Sequence, residues 1–271
     1  MDDRDGERSA GRFSGKVAVV PGSSADPSIG RACALRLALE GASVVINGRD
    51  RSRLEAAERA FADRGLAVAG VIGSVEDEST VMALADTAQR RFGRLDLVVN
   101  TVGGAPYRVG FEAMSESQLA ETITLNTWPA LSLLQASLRH GLGEGGGAVV
   151  NISSGSPHKT TPTMVAYAAA KAALNTITRT VAADLAPRGV RVNAVSPGLT
   201  RTTATAAMWE ADGGDSAATH LPTGRLTEAA DIAAAVAFLL SDDARQITGV
   251  VLDVDGGNHL SGGGWSPIRG G

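Results

Sequence analysis

Tyr167 and Lys171 stand four residues apart in the stretch Val165-Ala166-Tyr167-Ala168-Ala169-Ala170-Lys171-Ala172-Ala173. The stretch is rich in alanine and free of glycine and proline, so it reads as helix. At that spacing the phenol and the ammonium share one helical face. A cation beside a phenol favours the phenolate and lowers its pKa. A tyrosine tuned in this way can protonate a carbonyl oxygen or take the proton of an alcohol. Many Tyr-x-x-x-Lys pairs are only solvated helix surface, so the weight of this one depends on what else the sequence brings to it.

Three further places carry candidate chemistry. The turn Val20-Pro21-Gly22-Ser23-Ser24-Ala25-Asp26-Pro27-Ser28-Ile29-Gly30 joins a β-branched run to a helix start. Such a turn presents backbone N–H groups and a helix dipole to an anion such as a pyrophosphate. Gly22 and Gly30 allow close approach there, and Ser23, Ser24 and Ser28 add hydroxyl donors. The next run ends in Ile46-Asn47-Gly48-Arg49-Asp50. An acid at this point would hold the ribose 2′-hydroxyl of NAD; Gly48 instead leaves space, and Arg49 offers a fork for the 2′-phosphate of NADP(H). The alternative for Arg49 is a solvated charge at a helix start. Ser154 closes the run Asn151-Ile152-Ser153-Ser154, and Asn126 lies within a long helical segment. An amide in mid-helix carries a propensity cost, so Asn126 is either a satisfied structural amide or part of a proton relay.

The elements that must position these residues follow from the pattern of apolar runs. Strands are expected at Val17–Val20, Ser43–Ile46, Val68–Ile72, Leu95–Val99, Ala148–Ile152, Arg191–Val195 and Gly249–Val254. Helices are expected at Ile29–Glu40, Arg51–Arg64, Glu76–Phe92, Glu116–His140, Val165–Leu185 and Glu228–Leu240. The strands are nearly continuous apolar runs, the mark of a parallel sheet covered on both faces. Strict alternation with helices makes this one α/β domain, a doubly wound parallel sheet with helices on both faces. Residues 1–12 read as a disordered leader and 13–271 as the single domain. The irregular segment 199–223, with Met208 and Trp209 at its centre, reads as a substrate lid. The glycine-rich tail Gly262–Gly271 is either mobile or packed on a neighbouring subunit.

Composition excludes several classes. The chain has 271 residues, 44% apolar and 20% charged, with a net charge of −4 and no basic run, which argues against nucleic acid as a partner. One cysteine, Cys33, rules out an internal disulfide and reads as a small buried hydrophobe. The four histidines show no metal-ligand spacing, so no metal is expected. The charged N-terminus lacks the apolar core of a signal peptide. The longest apolar run, 232–240, is too short to span a bilayer. No membrane partner and a cytoplasmic location are therefore expected.

With Asn100-Thr101-Val102-Gly103, Asn126, Ser154, Tyr167-x-x-x-Lys171, Ser196-Pro197-Gly198 and Asp255-Gly256-Gly257 in this order, the sequence resembles the short-chain dehydrogenase/reductase family. The resemblance covers essentially the full length and is closest to the 3-oxoacyl-carrier-protein reductase-like subgroup. It implies a Rossmann-type fold and a role for each matching residue. Tyr167 would be the acid/base. Lys171 would bind the nicotinamide ribose and lower the tyrosine pKa. Ser154 would hydrogen-bond the substrate oxygen, and Asn126 would hold a water linking Lys171 to solvent. Asn100 and Gly103 would line the adenosine side, and Pro197 and Gly198, with Thr200 and Thr202, would face the nicotinamide.

Three departures from the family pattern stand out. The family motif is usually T-G-x-x-x-G-x-G. Here Pro21 replaces the threonine, the span from Gly22 to Gly30 is longer by two, and Ser28 takes the middle glycine's place. Ser74 and Val75 stand where the family often has Asp-Val to hold the adenine amino group, and Thr101-Val102 replaces Asn-Ala. The expectation is an NADP(H)-dependent oxidoreductase that reduces a ketone or oxidises the secondary alcohol, with ketoacyl and polyketide ketoreductases among the candidates. Its partner would be a small-molecule carbonyl or alcohol substrate. The Ser28–Ile29 loop also resembles that of enoyl-thioester reductases, although those space their Tyr and Lys more widely. The remaining alternative is a non-catalytic nucleotide-sensing protein. Apolar residues on more than one face of two helices (Leu131, Leu133, Leu134 and Leu138; Leu174, Ile177 and Val181) imply that their outer sides are buried too, and the resemblance implies that these helices pair between subunits in a homo-oligomer, a dimer or tetramer.

Overall fold

The structure, a computed structural model, describes residues 11–158 and 161–260. The first half runs β1 (Val17–Val20), α1 (Ile29–Leu39), β2 (Ser43–Gly48), α2 (Arg51–Ala62), β3 (Val68–Ile72) and α3 (Glu78–Phe92). The second runs β4 (Leu97–Asn100), α4 (Glu116–Arg139), β5 (Gly147–Ile152), α5 (Val165–Leu185) and β6 (Val190–Pro197). The chain closes with β7 (Thr200–Arg201), α6 (Asp215–Ala218), β8 (Thr227–Glu228), α7 (Ala229–Leu240) and β9 (Val251–Val254). Seven strands form one parallel sheet in the order β3-β2-β1-β4-β5-β6-β9.

Successive residues of β1 show why its sequence is apolar throughout. Ala18 and Val20 pack with Leu37, Phe61 and Ile232 on the face covered by α1, α2 and α7. Val17 and Val19 pack with Leu84, Leu133 and Leu185 beneath α3, α4 and α5. Neither face meets water, so alternation would have placed polar groups in a core. Cys33 lies fully buried in the first of these layers, as its surroundings in the sequence suggest. Chain direction across the sheet reverses between β1 and β4. The loops that follow these two strands diverge and leave a crevice at their C-terminal ends.

Expected and observed elements differ mainly at their ends. Gly11 and Arg12, assigned by sequence to the leader, are packed against the chain. Arg12 pairs with Glu40 through two bonds at 2.7 and 3.0 Å, and Phe13 is buried. The rest of the leader, residues 1–10, and the tail from residue 261 lie outside the described residues. Among the described residues no helix is long and apolar enough to cross a membrane.

The segment expected as an irregular lid is built from short helical turns. Its ends are joined by a small parallel ladder, Thr200 opposite Thr227 and Arg201 opposite Glu228. The Thr203 N–H and hydroxyl both donate to the Pro27 carbonyl, at 3.0 and 3.3 Å, so the segment reaches across the crevice to the turn after β1. Trp209 is half-buried within the segment. Its indole N–H donates to Thr205 Oγ1 at 3.2 Å, and the Arg201 guanidinium lies 5.7 Å from its ring. Met208 beside it is exposed. Trp209 thus anchors the segment internally. Trp209→Ala is expected to lower the melting temperature, by an amount corresponding to ~1–2 kcal/mol for a half-buried ring. A raised KM with an unchanged melting temperature would show that the indole instead faces substrate.

Candidate active site

Two buried polar bridges set α5 against β5. Asn151 Nδ2 donates to Thr178 Oγ1 at 3.0 Å, and Ser153 Oγ donates to Asn175 Oδ1 at 2.5 Å. They hold the middle of α5 against β5, and Tyr167 and Lys171 lie on the turns before them. Lys171 is buried; its Nζ donates to the Ile152 carbonyl at 2.9 Å and lies 5.8 Å from the Tyr167 ring centroid. Ser154 accepts the Ser156 N–H at 3.1 Å, donates to Ser156 Oγ at 3.0 Å, and exchanges a hydrogen bond with the Tyr167 phenol. A hydroxyl and a phenol in mutual contact, with an ammonium one turn further along, can bind a carbonyl oxygen and deliver a proton to it.

Asn126 is buried, and its side chain is fully satisfied. Its Nδ2 donates to the carbonyls of Gly104 and Thr122, both at 2.8 Å, and its Oδ1 accepts the Gly104 N–H at 3.0 Å. Of the two alternatives for this residue, the satisfied structural amide describes the side chain, which ties the loop after β4 to α4. The neighbouring Gly103 links Asn126 to Lys171. It has φ +150°, and a Cβ there would lie 2.5 Å from Asn126 Oδ1 and 2.9 Å from Lys171 Nζ. Only glycine fits where loop, amide and ammonium meet.

The electrostatics differ from the sequence expectation. Burial pushes the Tyr167 phenol above its ordinary range, opposed by the Ser154 hydrogen bond and by the charge of Arg108. The Lys171 ammonium donates to the Ile152 carbonyl rather than to the phenol. Arg108 was passed over in the sequence. The signal for it was a lone charge in the stretch Gly103-Gly104-Ala105-Pro106-Tyr107-Arg108-Val109-Gly110.

Burial also brings Lys171 from the ordinary lysine value of 10.5 down to about 8. Between these values the folded lysine is neutral while the unfolded one still holds its proton. The unfolded state then binds more protons, so stability rises with pH from about 8 toward 10.5. The gain is at most on the order of 3 kcal/mol, at ~1.4 kcal/mol per unit. Above the ordinary tyrosine value of 10, the raised Tyr167 works in the opposite sense. Without nucleotide, the wild-type melting temperature should climb relative to Lys171→Met as pH passes upward through about 8. A difference that stays flat with pH would contradict the buried ammonium.

Around the crevice the predicted residues divide into those used by the fold and those left open. Ser23 is buried; its hydroxyl donates to the Val20 carbonyl at 2.6 Å and accepts the Asn47 N–H at 3.2 Å. Ser28 donates to the Ala25 carbonyl at 2.8 Å and caps α1 by accepting the Arg31 N–H at 3.1 Å. Ile29 and Gly30 begin α1, and the Gly22 N–H donates to Asn47 Oδ1 at 3.3 Å. Thr101 Oγ1 donates to the Pro21 carbonyl at 2.5 Å, so the proline without a hydroxyl is clasped from across the crevice. Ser24 is the remaining serine, and it faces Gly48, where an added Cβ would collide with Ser24 Oγ and Cβ. Arg49 is exposed beside them. Ser74 Oγ donates to Glu76 Oε1 at 3.4 Å, and Val75 is buried in the second core layer.

On the other side, Pro197 O accepts the Gly155 N–H and the Gly198 N–H donates to the Val254 carbonyl, both at 3.1 Å. Thr200 Oγ1 donates to the Gly198 carbonyl at 3.0 Å, and Thr202 Oγ1 lies 3.1 Å from Thr205 Oγ1. Asn100 departs from this satisfied framework, as does the buried Ser196 hydroxyl on the other side. Asn100 is buried at the end of β4, and neither its Oδ1 nor its Nδ2 has a partner among the described residues. An unsatisfied buried amide is costly, and at a crevice it indicates a polar group meant to be received there.

Comparison with known proteins agrees with this fold. A family model described as "Enoyl-(Acyl carrier protein) reductase" matches residues 22–259. The 3-oxoacyl-[acyl-carrier-protein] reductase of Haemophilus influenzae is 34% identical over 247 residues, covering 91% of this chain and 99% of that protein. The solved structure of a 7α-hydroxysteroid dehydrogenase complexed with NADH and 7-oxo glycochenodeoxycholic acid superposes with a TM-score of 0.84 at 30% identity, covering 91% of this chain and 95% of that one. The gluconate 5-dehydrogenase of Burkholderia cenocepacia, in complex with NADP and tartrate, gives a TM-score of 0.83 at 30% identity, covering 93% and 98%.

Proposed function

Because the chain belongs to the short-chain dehydrogenase/reductase family of oxidoreductases, we propose that it is an NADP(H)-dependent ketoreductase, reducing a ketone or oxidising the corresponding secondary alcohol. The observation that carries the proposal is the contact of Ser154 with Tyr167, one helical turn from buried Lys171, at the C-terminal end of β5. The cofactor, when bound, supplies the hydride. The unpartnered amide of Asn100, the start of α1 and the Ser24–Gly48–Arg49 corner are the parts of the chain that would hold it, and they fit a phosphorylated dinucleotide. Pro197, Gly198, Thr200 and Thr202 would border its reactive end.

The chain's own part in the reduction is proton chemistry. Ser154 Oγ hydrogen-bonds the carbonyl oxygen as negative charge grows on it. Tyr167 transfers its phenolic proton to that oxygen, and a phenol kept protonated by burial is suited to act as the acid. Lys171 stands behind the phenol, next to Gly103 and Asn126, where it can return a proton toward solvent. The segment from Thr200 to Thr227, latched to Pro27, shields the crevice from water.

The match to the family model described as an enoyl reductase, together with the Ser28–Ile29 turn, favours a second reading, an enoyl-thioester reductase. The three-residue gap between Tyr167 and Lys171 weighs against it. Measuring NADPH oxidation with a ketone panel and an enoyl thioester separates the two readings. Turnover of the thioester alone overturns the ketoreductase, and turnover of neither leaves only a nucleotide-binding protein. The related structures carry NADH in one case and NADP in another, so cofactor preference is tested separately below.

A further inference from the structure

The turn after β1 is held from two sides. From β2, Asn47 Oδ1 accepts the Gly22 N–H at 3.3 Å, and the Asn47 carbonyl accepts the Ser23 N–H at 2.9 Å. Asn47 Nδ2 donates in turn to the carbonyls of Val71 and Gly73, on β3 and just beyond it, at 2.8 and 3.1 Å, so this side is anchored in the sheet. From the end of β4, Thr101 Oγ1 donates to the Pro21 carbonyl at 2.5 Å. The same oxygen lies against both glycines of the turn: an added Cβ would stand 3.1 Å from it at Gly22 and 3.0 Å from it at Gly30. A Cβ at Gly30 would also lie 2.5 Å from the Gly22 carbonyl oxygen, so turn, helix start and threonine are packed without slack.

Two departures of this chain from the family pattern meet in that one bond. Pro21 stands in place of a threonine and offers a carbonyl but no hydroxyl. Thr101 stands in place of an asparagine and brings a hydroxyl from the opposite strand. Ile29 and Gly30 open α1, and N–H groups in the first turn of a helix have no partner within it. An anion at this turn would meet those groups. The far end of the loop after β4 is fixed separately. Gly104 exchanges two hydrogen bonds with Asn126, at 3.0 and 2.8 Å, beside the point where Gly103 meets Lys171.

We propose that Thr101 is a positioning residue, whose hydroxyl sets the turn after β1 and the start of α1 to receive the pyrophosphate of a nicotinamide dinucleotide. This rests on the cofactor-dependent reading above. Donors that are already aligned bind an anion more tightly, because ordering them during binding costs affinity. Without the Thr101 hydroxyl, Pro21 and Gly22 are released on the β4 side while Asn47 still holds the other side. The turn loosens but stays in the sheet. The effect therefore falls on nucleotide binding, and the end of the loop held by Asn126 moves less.

The test compares Thr101→Val, which keeps the shape and removes the donor, with Thr101→Ser, which keeps the donor. NADPH binding is followed by fluorescence titration. Adenosine 2′-monophosphate, which has the 2′-phosphate but no pyrophosphate, is titrated by calorimetry, and melting temperatures are recorded beside both. Thr101→Val should raise the Kd for NADPH by about 5- to 10-fold, the scale of one lost neutral hydrogen bond, and should leave that for adenosine 2′-monophosphate within about twofold of wild type. In turnover, KM for NADPH should rise by a larger factor than kcat falls. Thr101→Ser should bring NADPH binding back to within about twofold of wild type. If Thr101→Val does not fold, Thr101→Ser against Thr101→Ala reads the same difference. Unchanged NADPH affinity without the hydroxyl, or no recovery in Thr101→Ser, would overturn the proposal while leaving the ketoreductase in place. Equal weakening of both nucleotides would also overturn it, since that is the mark of a contact that only supports the fold. Failure of wild type to bind any nicotinamide dinucleotide would overturn both readings.

Discussion

Tyr167→Phe should lower kcat for ketone reduction by at least ~10²-fold, the usual scale for losing a general acid. The change removes one oxygen and keeps the ring, so the contact with Lys171 across 5.8 Å and the packing of α5 persist. Ser154 loses one partner but retains both of its bonds to Ser156. The groups that would receive the dinucleotide, Asn100, Ser24 and Arg49 among them, lie on β4, the turn after β1 and the end of β2, away from the substituted atom. NADPH should therefore bind the variant with little change. This separation makes the experiment decisive. Near-normal turnover would remove Tyr167 from the chemistry, and loss of NADPH binding would mean that the substitution had disturbed the crevice rather than the proton.

The second large effect concerns the cofactor. Wild type should prefer NADPH over NADH, by roughly 10- to 100-fold in kcat/KM if Arg49 pairs with the 2′-phosphate. The usual way to reverse such a preference is to place an acid at Gly48, where a carboxylate would hold a ribose hydroxyl and repel a phosphate. In this chain that change alone should fail, because a Cβ at position 48 collides with Ser24 Oγ and Cβ. Gly48→Asp should weaken both cofactors together. Ser24→Gly removes the obstructing atoms, and combined with Gly48→Asp and Arg49→Gln it should favour NADH. Titrating both nucleotides against the single and triple variants distinguishes the steps. Equal kcat/KM for the two cofactors in wild type would take Arg49 out of the site, and a clean reversal by Gly48→Asp alone would contradict the packing of Ser24.

The architecture was legible because a parallel sheet imposes its demands locally. Every residue of β1, β4 and β5 but Gly147 is buried, so each strand announces itself as an apolar run. The helix from Val165 to Leu185 was bounded correctly from its alanines alone. The proposed catalytic set was legible for the same reason: one helical turn brings Tyr167 to Lys171, and Ser154 lies just beyond the end of β5.

What sequence could not decide were quantities that depend on through-space neighbours. Ser23, Ser24 and Ser28 look equivalent in the chain, yet two of the hydroxyls are taken up by Val20, Asn47, Ala25 and Arg31, and Ser24 lies against Gly48. The pairing of Tyr167 with Lys171 suggested a lowered phenol pKa, but burial outweighs any help from an ammonium directed at the Ile152 carbonyl. Trp209 resembled a substrate contact and is held by Thr205 and Arg201. Arg108 carried no motif at all; its charge acts on the Tyr167 phenol through space, against the effect of burial. Hydrophobic periodicity is written residue by residue, so the sequence determined the sheet, its helices and the placing of Tyr167 and Lys171 one helical turn apart. Desolvation and charge pairing are set by atoms distant in the chain, so only the tertiary structure decided which polar groups are spent on the fold and which remain for a ligand.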